Sequence, residues 1–174
     1  MRNVRHNVTR VSLLTLIFAA TTGSCAIATE QLKDTLVYGY KTFVCYQNPM
    51  LGLWHNGDGE LPPGKTMPPR LEVASSINWR GYESVWRIAD GKLLLESISG
   101  RIKGRDVKNR ALLPGKKFPV VATWFTGKIH LAVGDINDET QEYESVIVFD
   151  IHEGEVRSKT FFPAARVSYS WNGL

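Results

Sequence analysis

Outside the first 28 residues the side chains best suited to hold a metal or move a proton are His55, His130 and His152, and each stands alone. His130 falls in an alternating strand pattern, His152 in a turn and His55 in a Pro/Gly-rich stretch. None has the i,i+4 or short-loop spacing that brings zinc ligands together, so no metal is expected. The serines lack the Gly-x-Ser-x-Gly elbow that exposes a nucleophile. Cys45, between Phe43, Val44 and Tyr46, reads as a small buried hydrophobe and not as a nucleophile. Asp135 with Asp138, and Glu142 with Glu144, are the acid pairs that glycoside cleavage would use at about 5–9 Å. In polar turns, however, such acids are normally just solvated. No catalytic residue and no cofactor-binding motif is assigned, and an envelope hydrolase is kept as a lesser alternative.

Recognition chemistry is better represented. Trp79, Arg80, Tyr82 and Trp86 combine the three residue types that dominate protein-interface hot spots, and they are the candidate partner-binding residues. The same large aromatics also fill strand cores, so burial decides between the two roles. Arg101, Lys103, Arg105, Lys108 and Arg110, interleaved with Gly100 and Gly104, read as a solvated basic loop able to meet an acidic partner or an anionic envelope face. Gly52-Leu53-Trp54 matches the Gly-x-Trp that opens lipocalin-like barrels, which keeps a small-molecule or glycan-binding barrel as an alternative.

The elements that must position these residues are strands. Period-two alternation with β-branched and aromatic residues dominates, and no window shows an apolar face at helical spacing. The expected fold is all-β, an antiparallel meander, sandwich or small barrel built from hairpins. Leu36 to Tyr46 reads as a first strand or hairpin, broken at Gly39. From Asn48 through Asn56-Gly57, Leu61-Pro62-Pro63-Gly64 and Pro68-Pro69, turn chemistry and missing amides predict a long surface loop. Tyr82–Ile88 and Lys92–Ile98 form the clearest hairpin, around Ala89-Asp90-Gly91. Val120–Phe125 with Lys128–Val133, and Tyr143–Ile151 with Glu155–Phe162, are read as two more. Tyr82-Glu83-Ser84-Val85 recurs as Tyr143-Glu144-Ser145-Val146, an internal echo in which each copy opens a hairpin.

The first 28 residues form an export signal: Arg2, Arg5 and Arg10, an apolar centre from Val11 to Ala20, and the small-residue exit Ala26-Ile27-Ala28. The centre is about ten residues, whereas a spanning helix needs roughly 20. The expectation is a cleaved signal peptide over 1–28 and a single β-rich domain over 29–174, periplasmic or secreted. Cys25, preceded by Thr22-Gly23-Ser24, offers lipidation as an alternative ending, with membrane contact only then or through the basic loop. Cleavage removes three arginines and no acid. The 18 basic and 17 acidic side chains that remain give a formal charge of +1, against +4 for the whole chain, which argues against a nucleic-acid partner.

At Asn78-Trp79-Arg80-Gly81-Tyr82, continuing through Trp86-Arg87-Ile88-Ala89-Asp90-Gly91-Lys92-Leu93, and again at Ala122-Thr123-Trp124-Phe125-Thr126-Gly127-Lys128, the chain resembles a family of small uncharacterised bacterial β-rich proteins. The resemblance covers roughly residues 70 to 160. It implies a protein of the kind that accompanies toxin and immunity genes, and it brings no catalytic residue to carry over. The export signal departs from that family and moves any neutralising role to the periplasm. The expectation is an exported, immunity-like binding protein with a protein partner, no cofactor, and a small-molecule ligand as the alternative.

Overall fold

The computed structural model describes residues 32–54, 66–73, 75 and 77–167. The expected export signal, Cys25, His55 and the turns at Asn56-Gly57 and 61–64 lie outside the described residues. Among the described residues the chain is all-β. The strands are β1 (Asp34–Tyr38), β2 (Lys41–Cys45), β3 (Tyr82–Ala89), β4 (Lys92–Ile102), β5 (Arg105–Lys108), β6 (Val120–Val121), β7 (Gly127–Asn137), β8 (Glu142–His152) and β9 (Glu155–Ala165). The helical elements among these residues are two 3-10 turns, Pro49–Gly52 and Asn109–Ala111, and no helix is long and apolar enough to cross a membrane.

Turn chemistry sets the hairpins. At Asp90-Gly91, Lys103-Gly104 and Glu153-Gly154 both central residues have positive φ, the conformation whose twist suits a two-residue hairpin. Gly39, at φ 60°, serves the β1–β2 turn with Tyr40 after it. The hairpins expected over 36–46, 82–98 and 143–162 are thus β1–β2, β3–β4 and β8–β9. Both copies of the Tyr-Glu-Ser-Val echo open a strand with the serine buried, Ser84 in β3 and Ser145 in β8.

Two strand expectations are corrected. Val120 and Val121 pair with Leu95 and Leu94 of β4, not with β7, because Phe125 N–H closes a turn on Ala122 O and Ala122 N–H bonds Leu93 O. β7 pairs with β8 instead. The basic run from Arg101 to Arg110 is no plain loop: Lys103-Gly104 folds it into the β4–β5 hairpin, with its charges in solvent.

The sheet runs in the order β2-β1-β3-β4-β9-β8-β7, with β5 and β6 also on β4. It is mixed where an antiparallel one was expected, since β3 lies parallel to β1 after the connection over 46–81. It also curls without closing into a barrel. Tyr38 of β1 meets Phe149 of β8 edge-on at 4.9 Å. Where β2 and β7 approach, no ladder joins them. Gln47 Oε1 accepts the His130 amide at 3.2 Å, and the hydroxyls of Tyr46 and Tyr143 pair at 3.0 Å. The concave face is packed with Leu36, Trp86, Leu93, Leu95, Ile129, Leu131, Phe149 and Ile151, all essentially inaccessible to solvent.

The start of the expected surface loop is a core plug. Met50, Leu53 and Trp54 are buried, and Trp54 packs edge-on against Tyr82 at 5.0 Å. Apolar residues three and four apart share one side of a tight turn and turn inward together. Trp124 clamps the plug by donating its indole N–H to Pro49 O at 3.0 Å. A Cβ on Gly52 would lie 2.5 Å from Trp124 O, so only glycine lets the turn seat.

Candidate functional site

The densest polar arrangement lies under this plug and is built around Asp34. In β1 the inward positions are Asp34 and Leu36, which puts a carboxylate in phase with the core. In β3 the inward positions are Tyr82, Ser84, Trp86 and Ile88. The β1–β3 register sets Thr35 beside Val85, so the Asp34 side chain opens onto Ser84 and Trp86. Asp34 Oδ1 accepts from Arg80 Nη2 at 3.0 Å and from the Ser84 amide at 3.3 Å, while Oδ2 accepts the Trp86 indole N–H at 3.2 Å. That indole is shared with Ser84 Oγ at 3.0 Å.

Removing a carboxylate from water is tolerated only with such compensation, and the Asp34 side chain is fully buried with Arg80 only 6% exposed. Arg80 Nη2 also donates to Leu32 O at 2.7 Å, and its guanidinium stands 4.7 Å over the Tyr82 ring. The Tyr82 hydroxyl donates to Asn48 Oδ1 at 3.0 Å, tying the plug to the hub. Burial pushes the Tyr82 phenol up to about 12, against the lowering pull of Arg80, so it stays neutral at physiological pH. The neighbouring Cys45 thiol is also raised, by burial and then by the Asp34 charge, which makes it a poor nucleophile. The hub assembles acid, base and phenol, all covered: the Asp34 carboxylate and the Tyr82 hydroxyl are hydrogen-bonded, while Arg80 Nε is buried with no partner, so the role of the hub is structural.

The four candidate partner residues therefore separate. Trp86 is fully buried, Tyr82 is 3% exposed and Arg80 is inside the hub, so these three cannot meet a partner without unfolding the core. Trp79 is 54% exposed. The Asn78 side chain accepts the Gly81 amide at 3.1 Å and the Asn78 amide bonds Ser75 O, so the backbone of the turn that carries Trp79 is hydrogen-bonded on both sides of it. Gly81, at φ 74°, closes it where a Cβ would strike Leu71 and the Glu72 carbonyl. Sequence reading missed Asp34 as the hub. Its signal was an acid in phase with Leu36 and Tyr38, which demands a buried cation.

The remaining titratable candidates do not converge. Asp135 and Asp138, like Glu142 and Glu144, sit around the β7–β8 turn with Asp135, Asp138 and Glu144 exposed, and the described residues contain no group of three His, Cys, Asp or Glu placed to hold a metal. His152 is exposed beside the β8–β9 turn. His130 is half-buried on β7, its Nδ1 covered and without a partner, and its pKa is lowered by burial and then by the Lys128 charge. The unfolded chain therefore takes up a proton below about 6.5, its ordinary value, which the folded chain resists. Stability present above that pH is expected to decline as pH falls through it toward the folded value. Denaturant titrations at pH 7.5 and 5.5 should show the decline in the parent protein and a smaller one in His130→Gln. Equal slopes in the two proteins would exclude His130 as the source.

Two open grooves mark the surface. One, of about 580 Å³, lies along the outside of β1 and β2 and is lined by Leu32, Lys33, Thr42, Val44, Tyr46 and Ile77 among others. The second, of about 280 Å³, runs between the Trp79 turn and the β4–β5 hairpin past Asn78, Glu83, Arg101, Asp106 and Lys108. Both grooves are open to solvent, and among the described residues the concave face is filled by side chains. Comparison with protein-family models, with curated proteins and with solved structures found no match to this chain.

Proposed function

We propose that this chain is an exported, immunity-like binding protein that occludes a protein partner in the envelope, with Trp79 as its principal anchor. The observation that carries the reading is the pairing of a half-exposed tryptophan with a turn locked from behind by buried groups. A large aromatic carried on a backbone already hydrogen-bonded into its turn has only its own side-chain freedom to lose on contact, which favours it as an interface anchor. Ile77, two residues earlier in the same turn, is 45% exposed and lines the larger groove, whose wall includes the half-exposed Val44 of β2. Aromatic and aliphatic anchors beside a shallow groove suit occlusion of a folded surface.

The test is capture from envelope extract with the protein and its Trp79→Ala variant, followed by mass spectrometry and by assay of the captured partner's activity. Trp79→Ala is expected to weaken capture at least about tenfold while leaving the thermal midpoint within about 2 °C of the parent. A single stoichiometric partner whose activity is suppressed supports the reading. Undiminished capture by Trp79→Ala removes this surface from it, and a co-purifying small molecule with no protein partner turns the reading to ligand binding.

A further inference from the structure

Among the described residues β9 is an open edge for most of its length. On the β4 side its one ladder pair is Lys92 with Glu155, reinforced by the Val156 amide on Gly91 O at 2.8 Å. From Arg157 to Ala165 no described strand lies against its outer side. Hydrogen-bond alternation tells which backbone groups face out. His130 of β7 stands opposite Val148 and sends its amide away from β8 to Gln47, so Val148 bonds β9 at Thr160. Lys159, Phe161 and Pro163 then turn their backbone groups outward. The outward Val156 amide agrees, given the one-residue register shift between it and Ser158.

Phe161 is 60% exposed and Phe162 45%. As successive strand residues they occupy opposite faces: Phe161 extends the row Leu131–Ile147, and Phe162 extends Ala132–Val146. A surface lying on one face of the sheet covers only one of them. An added strand covers both and pairs the open backbone between them.

We propose that β9 pairs antiparallel with β9 of a second copy about a two-fold axis through Thr160. In this register the amide and carbonyl of Lys159 meet those of Phe161 in the second copy, and reciprocally, which uses the outward groups of both residues. Thr160 faces Thr160, Ser158 faces Phe162 and Arg157 faces Pro163, so no like charges are opposed. The neighbouring registers are worse. Centring on Lys159 sets two ammonium-bearing residues opposite each other, and centring on Phe161 brings Pro163, which has no amide to donate, against Lys159 near the middle of the seam, whereas centring on Thr160 moves that missing amide out to Arg157 at its end. The seam is short, so the dimer is a weak one, in the micromolar range. This inference uses no residue of the Trp79 turn and stands apart from the inhibitor reading.

Sedimentation equilibrium of the purified protein tests it together with cysteine cross-linking. A monomer–dimer equilibrium is expected at tens of micromolar, and Phe161→Glu should weaken it at least about tenfold without changing the thermal midpoint. Thr160→Cys should form a 160–160 disulfide under mild oxidation, since directly opposed non-hydrogen-bonded residues have Cα atoms about 4.5 Å apart. Ser158→Cys should not link to its own counterpart. A protein still monomeric at about 1 mM, a dimer indifferent to Phe161→Glu, or links at 158 as readily as at 160 would each overturn the proposal.

Discussion

Replacing Arg80 by alanine is expected to destabilise the fold by about 3–5 kcal/mol, because it leaves the fully buried Asp34 carboxylate without its counter-ion. The loss exceeds the worth of the ion pair itself. Ser84 N–H and the Trp86 indole still reach Asp34, but two neutral donors do not replace the solvation of a carboxylate. Arg80 also holds Leu32 O and the face of Tyr82, so the β1 entry and the plug loosen together. For a domain of this size the thermal midpoint should fall by roughly 10 °C or more. Asp34→Ala should be comparably costly for the converse reason, whereas the double variant should be no less stable than either single, since neither charge is then left alone. Urea titration of the three variants measures this coupling. A parent-like midpoint for Arg80→Ala would mean that the guanidinium is not the partner holding Asp34 in the core.

Trp86→Ala should cost a similar ~3–5 kcal/mol, from the cavity left by a fully buried indole. Trp86→Phe separates packing from hydrogen bonding. It restores most of the apolar volume but deprives Asp34 Oδ2 and Ser84 Oγ of their shared donor, a residual penalty of about 1–3 kcal/mol. The two substitutions are compared by chemical denaturation with far-UV circular dichroism. If Trp86→Phe is as stable as the parent, the indole N–H contributes nothing to the hub and only ring volume matters at this position. These expectations contrast with Trp79→Ala, which removes an equally large side chain at little cost because about half of it is already in water.

Much of the strand pattern was legible from local physics. Alternation in Tyr82–Ile88 puts Tyr82, Ser84, Trp86 and Ile88 on one face, and Asp90-Gly91 supplies the two positive φ values that its turn adopts. Lys103-Gly104 carried the same signal, but inside a run of charges of the kind that is usually a solvated loop. The partner of Val120 and Val121 was not legible, because a two-residue strand contains no register information and its pairing with β4 depends on where the Ala122–Phe125 turn delivers it. Nor was the plug: Met50, Leu53 and Trp54 stand among turn-forming residues, and only the mouth of the curled sheet gives them somewhere to be buried.

By itself the sequence determined that this is an all-β chain of hairpins, since side-chain period and turn residues act over a few positions and need no knowledge of the rest. It also contained the residue types of an interface at Trp79, Arg80, Tyr82 and Trp86. Tertiary structure decided which of them faces water. Which face of β3, and which side chain of the turn before it, is covered depends on what packs there, and here the parallel placement of β1 beside β3 brings Asp34 to Arg80, Ser84 and Trp86 from 46 to 52 residues away. Among the described residues the same long-range folding left β9 with an open edge, because β5 and β6 occupy the side of β4 that it would otherwise have shared.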